Sequence, residues 1–267
     1  MLPPLSAYHN AIASPRQAFV DPELRLAKPA ALRMGLPVAM VGGFAATYRL
    51  VTPSGDVAVR CFHRESPDLS ARYNHISKAL ATSPSPHMVK FDFQPRGIMV
   101  EGQAYPIVRM EWAKGKVLSS VLREQHGNRE VLAALIRQLN RVEQSLRSLG
   151  ISHGDLQPEN IIWDGTSLRL LDYDGMFVPG MTPGRSAELG QRHFQHPGRS
   201  AGTFGPDMDR FSFITLALSL RALMARSSLY NEYAVTDENI LFQASDYKDP
   251  SQSRAFMELL HIAEIRE

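Results

Sequence analysis

The apolar positions of the first 112 residues alternate over short runs, whereas those beyond Lys114 recur at helical spacing. Tyr48-Arg-Leu-Val and Val57-Ala-Val-Arg-Cys-Phe flank Thr52-Pro-Ser-Gly-Asp, which predicts a β-hairpin. Residues 68 to 81 read as a helix. Met88 to Phe93, Gly97 to Glu101 and Tyr105 to Met110 read as three short strands with turn residues between them. Leu132, Leu135, Ile136, Leu139, Val142, Leu146 and Leu149 mark one face of a long amphipathic helix that stops at Gly150, a fitting C′ glycine. Ile161-Ile-Trp and Leu168-Arg-Leu-Leu, joined by Asp164-Gly-Thr-Ser, predict a second hairpin. A loop rich in proline and glycine runs from Gly175 to about Pro206. An apolar helix is expected to begin near Asp209, and a last one to run from Arg254 to Ile265. Strands first and helices afterwards predict an α+β protein. Its β-rich part is expected at 36–112, its helical part at 113–267, and residues 1–35 as an extension packed on the β-rich part.

Composition narrows the classes. The 267 residues are 44% hydrophobic, enough for one large domain or two coupled lobes. With 29 basic and 27 acidic side chains, the net charge of +2 gives no argument for a nucleic acid or an acidic surface as partner. A single cysteine, Cys61, rules out an internal disulfide and a CxxC-type zinc site, and suits a reducing, cytoplasmic setting. The N-terminus lacks a basic-then-apolar signal pattern. Phe211 to Met224 is interrupted by Arg221 and is too short to span a bilayer, so no membrane partner is expected.

The densest chemistry lies in His153-Gly-Asp-Leu-Gln-Pro-Glu-Asn160, followed by Leu170-Leu-Asp172-Tyr-Asp-Gly175. Two acids and an asparagine, spaced by a loop and a hairpin, can converge on one point. Phosphoryl transfer needs such convergence: one carboxylate orients the attacking hydroxyl, and an amide oxygen with a second carboxylate holds magnesium against phosphates. His193 and His196 also suggest a metal, but there is no cysteine partner and the nearby carboxylates have another use.

These motifs resemble those of the protein-kinase superfamily, H-R-D-L-x-x-x-N and D-F-G, over roughly Gly35 to Arg226. The resemblance implies a bilobal fold, with an antiparallel N-lobe sheet carrying one helix and a mainly helical C-lobe. It implies ATP and Mg2+ as cofactors, Asp155 as catalytic base, and Asn160 and Asp172 as magnesium ligands. Asp174, standing where the motif has glycine, is an extra acid at the metal. Tyr105 to Gly115 resembles the strand and hinge that meet adenine, with Met110 guarding the pocket and Glu111 and Trp112 offering backbone groups. Gly42, Gly43 and Ala45 stand in the place of the glycine-rich loop. Arg60 stands where the strand usually ends in lysine. Gly190 to Pro197 resembles the end of an activation segment, and Asp209-Arg-Phe-Ser the start of a helix whose acid braces the catalytic loop through backbone N–H groups.

The chain also departs from the pattern. Only Gly42 keeps the three-glycine spacing, and no acid between Asp68 and Asp92 can pair with Arg60. Gly154 and Gln157 replace an arginine and a lysine. Losing two positive groups costs about 2–4 kcal/mol of transition-state stabilisation, or about 30- to 1000-fold in rate. After the helix that begins near Asp209 only about 40 residues remain, so a short helical lobe is expected. The resemblance is to bacterial kinase-like proteins with arginine in that strand, some of which act with regulatory protein partners in stress systems. Three functions stay open: a slow or atypical kinase of protein Ser/Thr hydroxyls, a pseudokinase acting as a regulatory module on a protein partner, and a small-molecule phosphotransferase of the aminoglycoside-kinase type. The acceptor and the oligomeric state are not encoded in any motif.

Overall fold

The computed structural model describes residues 2–65, 68–186, 188–234 and 238–266. The protein is mixed α+β, and its named strands all pair antiparallel. The chain divides into two compact units. The first comprises residues up to Thr82 together with Val89–Ala113. The second comprises Ser83–Met88 and residues from Lys114 onward.

The first unit begins with α1 (Leu5–Ile12) and α2 (Pro15–Ala18). Its strands are β1 (Lys28–Pro29), β2 (Leu32–Arg33), β3 (Leu36–Pro37), β4 (Ala39–Val41), β5 (Ala45–Thr52), β6 (Gly55–Phe62), β7 (Phe91–Val100) and β8 (Gln103–Glu111). The sheet runs β1-β5-β6-β8-β7, with β4 also on β5, and β2 pairs with β3 as a separate hairpin. Alternation along β5 and β6 sends Tyr48, Leu50, Val57, Val59 and Cys61 into a core completed by Tyr8 and Ile12 of α1 and by Phe19 and Leu24. The Tyr8 hydroxyl donates to the carbonyl of Phe62 (2.8 Å), which ties α1 to the sheet. On the opposite face α3 (Leu69–Thr82) buries Tyr73, stacked on Phe93 at 5.6 Å, beside Phe62 and Val108.

Distant residues lock this unit. Arg109 bridges Asp21 (3.0 Å) and Glu23, and Glu23 also accepts from the hydroxyls of Thr52 and Ser54. The Ser54 and Thr52 bonds, with Arg109 behind them, hold the Glu23 carboxyl down at about 2.

Two local expectations are corrected. The stretches 88–93 and 97–101 do not form separate strands. β7 is continuous, with an irregularity between Gln94 and Ile98 that absorbs Pro95, Arg96 and Gly97 as a bulge instead of a turn. The helix expected over 254–265 is broken between Leu259 and Ala263.

The second unit holds β9 (Lys116–Val117), α4 (Leu118–Gln125) and α5 (Arg129–Leu149), followed by the hairpin of β10 (Ile161–Trp163) and β11 (Leu168–Leu170). After a long irregular stretch come α6 (Arg210–Ala225), α7 (Leu229–Tyr233), α8 (Ala244–Lys248), α9 (Arg254–Leu259) and α10 (Ala263–Arg266). The Asn128 side chain accepts from the N–H groups of Glu130 and Val131, and Gly150 closes α5 at φ +64°. Leu132, Leu135, Leu139, Val142 and Leu146 form the buried stripe of α5, which packs against α6. Among the described residues, no helix is long and apolar enough to cross a membrane.

Candidate functional site

The sequence motif 153–175 folds around one buried carboxylate. Asp209, at the N-cap of α6 and 4% exposed, accepts N–H bonds from His153 and from Gly154 (2.8 Å). Both are main-chain donors, so this acid fixes the path of the loop, as the family resemblance implies. Burial raises the Asp209 pKa. The neighbouring His153 ring, the two amide bonds and the Arg199 guanidinium pull the other way.

The loop turns at Gly154, where φ is +85° and a Cβ would lie 2.2 Å from the carbonyl oxygen of Gly175. No residue with a Cβ fits there unless the two closely approaching backbones move apart. The fully buried His153 sets the other side of the turn. Its Nδ1 accepts from the Asp155 N–H (3.4 Å) and its Nε2 donates to the Leu171 carbonyl (2.7 Å), which defines the tautomer.

Asp155 follows directly. Its Oδ1 accepts the backbone N–H of Gln191 (2.7 Å), and its Oδ2 accepts from Gln157 Nε2 (2.8 Å) and Asn160 Nδ2 (3.0 Å). Gly190 makes the first contact possible, because a Cβ there would meet the Gly154 carbonyl at 2.7 Å and Asp155 Oδ1 at 3.0 Å. Gln157 reaches the same carboxylate but brings no charge.

Asn160 closes a short 3-10 turn, Pro158–Asn160, whose Glu159 accepts from the Ser119 hydroxyl on α4. Its Nδ2 also donates to the Asp155 carbonyl (2.9 Å), which leaves Oδ1 as the atom it can offer to a cation. The Asn160 carbonyl accepts from Leu171 N–H (2.8 Å), and Ile161 opposes Leu170, so the hairpin brings Asp172 to the end of the strand beside Asn160. Asp172 itself is left-handed (φ +62°), and its Oδ1 accepts from Asp174 N–H (3.3 Å). Left-handed backbone at a non-glycine residue is uncommon and tends to mark functional turns.

The donors fit a hard divalent cation. An amide oxygen and the carboxylates of Asp172 and Asp174 are the ligand types magnesium accepts, with water and phosphate filling its remaining positions. Among the described residues no group of three or more His, Cys, Asp or Glu side chains could hold a metal ion. Magnesium here would thus depend on Asn160 and on ligands brought by a nucleotide. His193 is not part of any such group: it is buried, its Nδ1 accepts Ala244 N–H (2.9 Å), and burial lowers its pKa.

Arg199, one residue after Gly198, lies against this loop. Its Nη2 approaches the Gly154 carbonyl (3.5 Å) and its Nη1 the Met208 carbonyl (3.4 Å). Burial lowers its pKa, while Asp209 and Asp155 oppose that shift. Nothing in the motif announced Arg199. The only available signal was a basic residue in a polar loop that ends at a buried acid.

The residues expected to grip ATP lie in the first unit and are arranged less specifically. Gly42 N–H donates to Ala45 O (2.9 Å), closing a two-residue turn between β4 and β5. Neither Gly42 nor Gly43 has positive φ, and a Cβ on Gly43 meets nothing within 4 Å. Ala45 is 2% exposed and packs with Phe62 and Val108. It is a core residue of the strand, so the small side chain is explained by packing. Arg60 is buried, opposite Thr47 and Val108 on that same face. Met110 pairs with Ala58 and Phe91 across the sheet. The N–H groups of Glu111 and Trp112 already donate to Lys90 O (2.9 Å) and Asp56 O (3.2 Å), so neither is left for a base. No protein-family model matches this chain, and no curated protein matches it.

Proposed function

We propose that this is a protein-kinase-like protein that binds Mg-ATP and transfers phosphate, slowly or by an atypical route, to a protein Ser/Thr hydroxyl. In this reading the first unit corresponds to the N-lobe of a bilobal kinase-like fold and the second to its C-lobe. The observation that carries it is the pair of hydrogen bonds that the Asn160 side-chain amide donates to the carbonyl and to the carboxylate of Asp155. It ties a candidate base and a candidate metal ligand into one rigid piece, with Asp172 placed next to it by the hairpin register.

Asp155 would accept the proton of the attacking hydroxyl and orient its oxygen. Asn160 and Asp172, with Asp174 beside them, would hold magnesium, which neutralises phosphate charge when bound. Gln157 Nε2 donates to Asp155 and so orients the base, but it adds no positive charge, in keeping with slow turnover. Arg60 would contact phosphate from its own position on β6, and Met110 and the carbonyls of Glu111 and Trp112 would face the base.

A pseudokinase reading is favoured by one observation: the Asp155 carboxylate already accepts three N–H bonds, from Gln191, Gln157 and Asn160. A switch of this kind would bind nucleotide and act on a regulatory partner without turnover.

Purified protein tested for Mg-ATP binding, and then for transfer of labelled phosphate to itself, to generic proteins and to small alcohols, separates these readings. Transfer lost in Asp155→Ala and in Asp172→Asn supports the enzyme. ATP binding without transfer supports the switch. The absence of any nucleotide binding overturns both.

A further inference from the structure

The balanced charge of the whole chain hides a segregated stretch. Between Glu23 and Asp56 there is no acidic residue, while Arg25, Lys28, Arg33 and Arg49 are all basic. Arg49 is neutralised by Asp56 (Nε to Oδ2, 2.7 Å). Lys28 and Arg33 are exposed and make no ion pair among the described residues.

The β2–β3 hairpin rises from this stretch. Leu32 is 59% exposed, Met34 97%, Leu36 45% and Val38 46%. Leu32 opposes Pro37 and Arg33 opposes Leu36, so Leu32 and Leu36 lie on opposite faces of the ribbon with Met34 at its tip. Pro37, which ends the hairpin, is buried.

The turn itself is unusual. Met34 (φ +52°) and Gly35 (φ +80°) form a two-residue turn with both φ positive, a geometry in which asparagine is favoured at the first position. A fully exposed methionine there meets neither the needs of the turn nor those of any core. Apolar side chains on both faces and at the tip, with Lys28 and Arg33 outside any ion pair among the described residues and no acid in the sequence between Glu23 and Asp56, complement a negatively charged apolar medium better than a one-sided protein groove.

We propose that the Leu32–Pro37 hairpin is an interfacial anchor. Its tip inserts into the headgroup region of an anionic lipid surface, with Lys28 and Arg33 against lipid phosphates. The hairpin lies wholly within the first unit, and the proposal does not depend on the kinase reading. It revises the expectation of no membrane partner, which followed from the lack of an apolar stretch long enough to span a bilayer.

The test is co-sedimentation of the intact protein with phosphatidylserine-rich vesicles and with pure phosphatidylcholine vesicles, at low and high salt. Binding to the former alone is expected, weakening about tenfold as salt screens the cations. Met34→Asn keeps a favourable turn while removing the apolar tip, and should weaken binding about tenfold with an unchanged melting curve. Arg33→Gln should weaken it about fivefold. No binding to phosphatidylserine-rich vesicles at low salt overturns the proposal, as does equal binding by Met34→Asn. A concentration-dependent dimer lost in Met34→Asn also overturns it, by assigning the hairpin to a second copy of the chain.

Discussion

The loop around Asp155 and the turn at Gly42 both carry a glycine within a motif that sequence reading connects with phosphate chemistry, yet the two differ physically. At Gly154 the backbone is left-handed and a Cβ would stand 2.2 Å from the carbonyl oxygen of Gly175. At Gly43 the backbone is ordinary and a Cβ would meet nothing within 4 Å. The loop needs its glycine because two strands of backbone touch there and a buried acid clamps them. The turn uses glycine without needing it. In the loop, then, geometry has been specified residue by residue, whereas in the turn only a reversal of chain direction has been specified.

Substitutions can break or sharpen this contrast. The largest effect is expected from Asp209→Ala, which strands two buried amide donors and removes the clamp. About 4 kcal/mol should be lost in urea unfolding, and a loss under about 1 kcal/mol would show that the loop holds itself. Next comes Gly154→Ala, which adds positive-φ strain to a backbone clash and should cost about 3 kcal/mol in the same assay.

Arg199→Met tests the charge beside the clamp. The folded-state pKa of Asp209 is raised, so its contribution to stability is present below the ordinary carboxylate range and is lost as pH rises through the folded value. Removing the opposing Arg199 charge raises that value further. The variant should therefore lose more stability at pH 8 than at pH 5, by about 1 kcal/mol, with part of it restored in Arg199→Lys. Equal losses at both pH values would show that Arg199 acts through packing alone. The smallest effect is expected from Gly43→Ala, within about 0.5 kcal/mol of the parent protein, because the site is open and its φ is ordinary. A large loss there would give the turn the same status as the loop.

These contrasts also explain what was legible in the sequence. The hairpin of β10 and β11, the stripe on α5 and its Gly150 stop follow from local periodicity and turn chemistry, and they appear where the pattern places them. Asp155, Asn160 and Asp172 stood out because side-chain letters at fixed spacing carry chemistry. The Gln191 contact to Asp155 did not, because its donor is a main-chain N–H that any residue but proline supplies. Arg109 meets Asp21 and Glu23 across more than eighty residues, a pairing that no local window contains. Pro95 and Gly97 read as a break because bulge and turn use the same residues. Ala45 read as a loop residue because burial leaves no mark on a single alanine.

The six residues Ser83–Met88 belong to the second unit although the chain on both sides of them belongs to the first. They are fastened there by Leu170 N–H to His87 O (2.8 Å), His87 Nδ1 to Leu168 O (3.1 Å) and the Ser85–Ser145 hydroxyl pair (3.0 Å). A cut after Ala113 therefore cannot yield two self-sufficient halves. The downstream fragment would leave the outer side of Leu168 and Leu170 unclosed, and a synthetic peptide spanning 83–88 is the missing piece that should restore its cooperative melting.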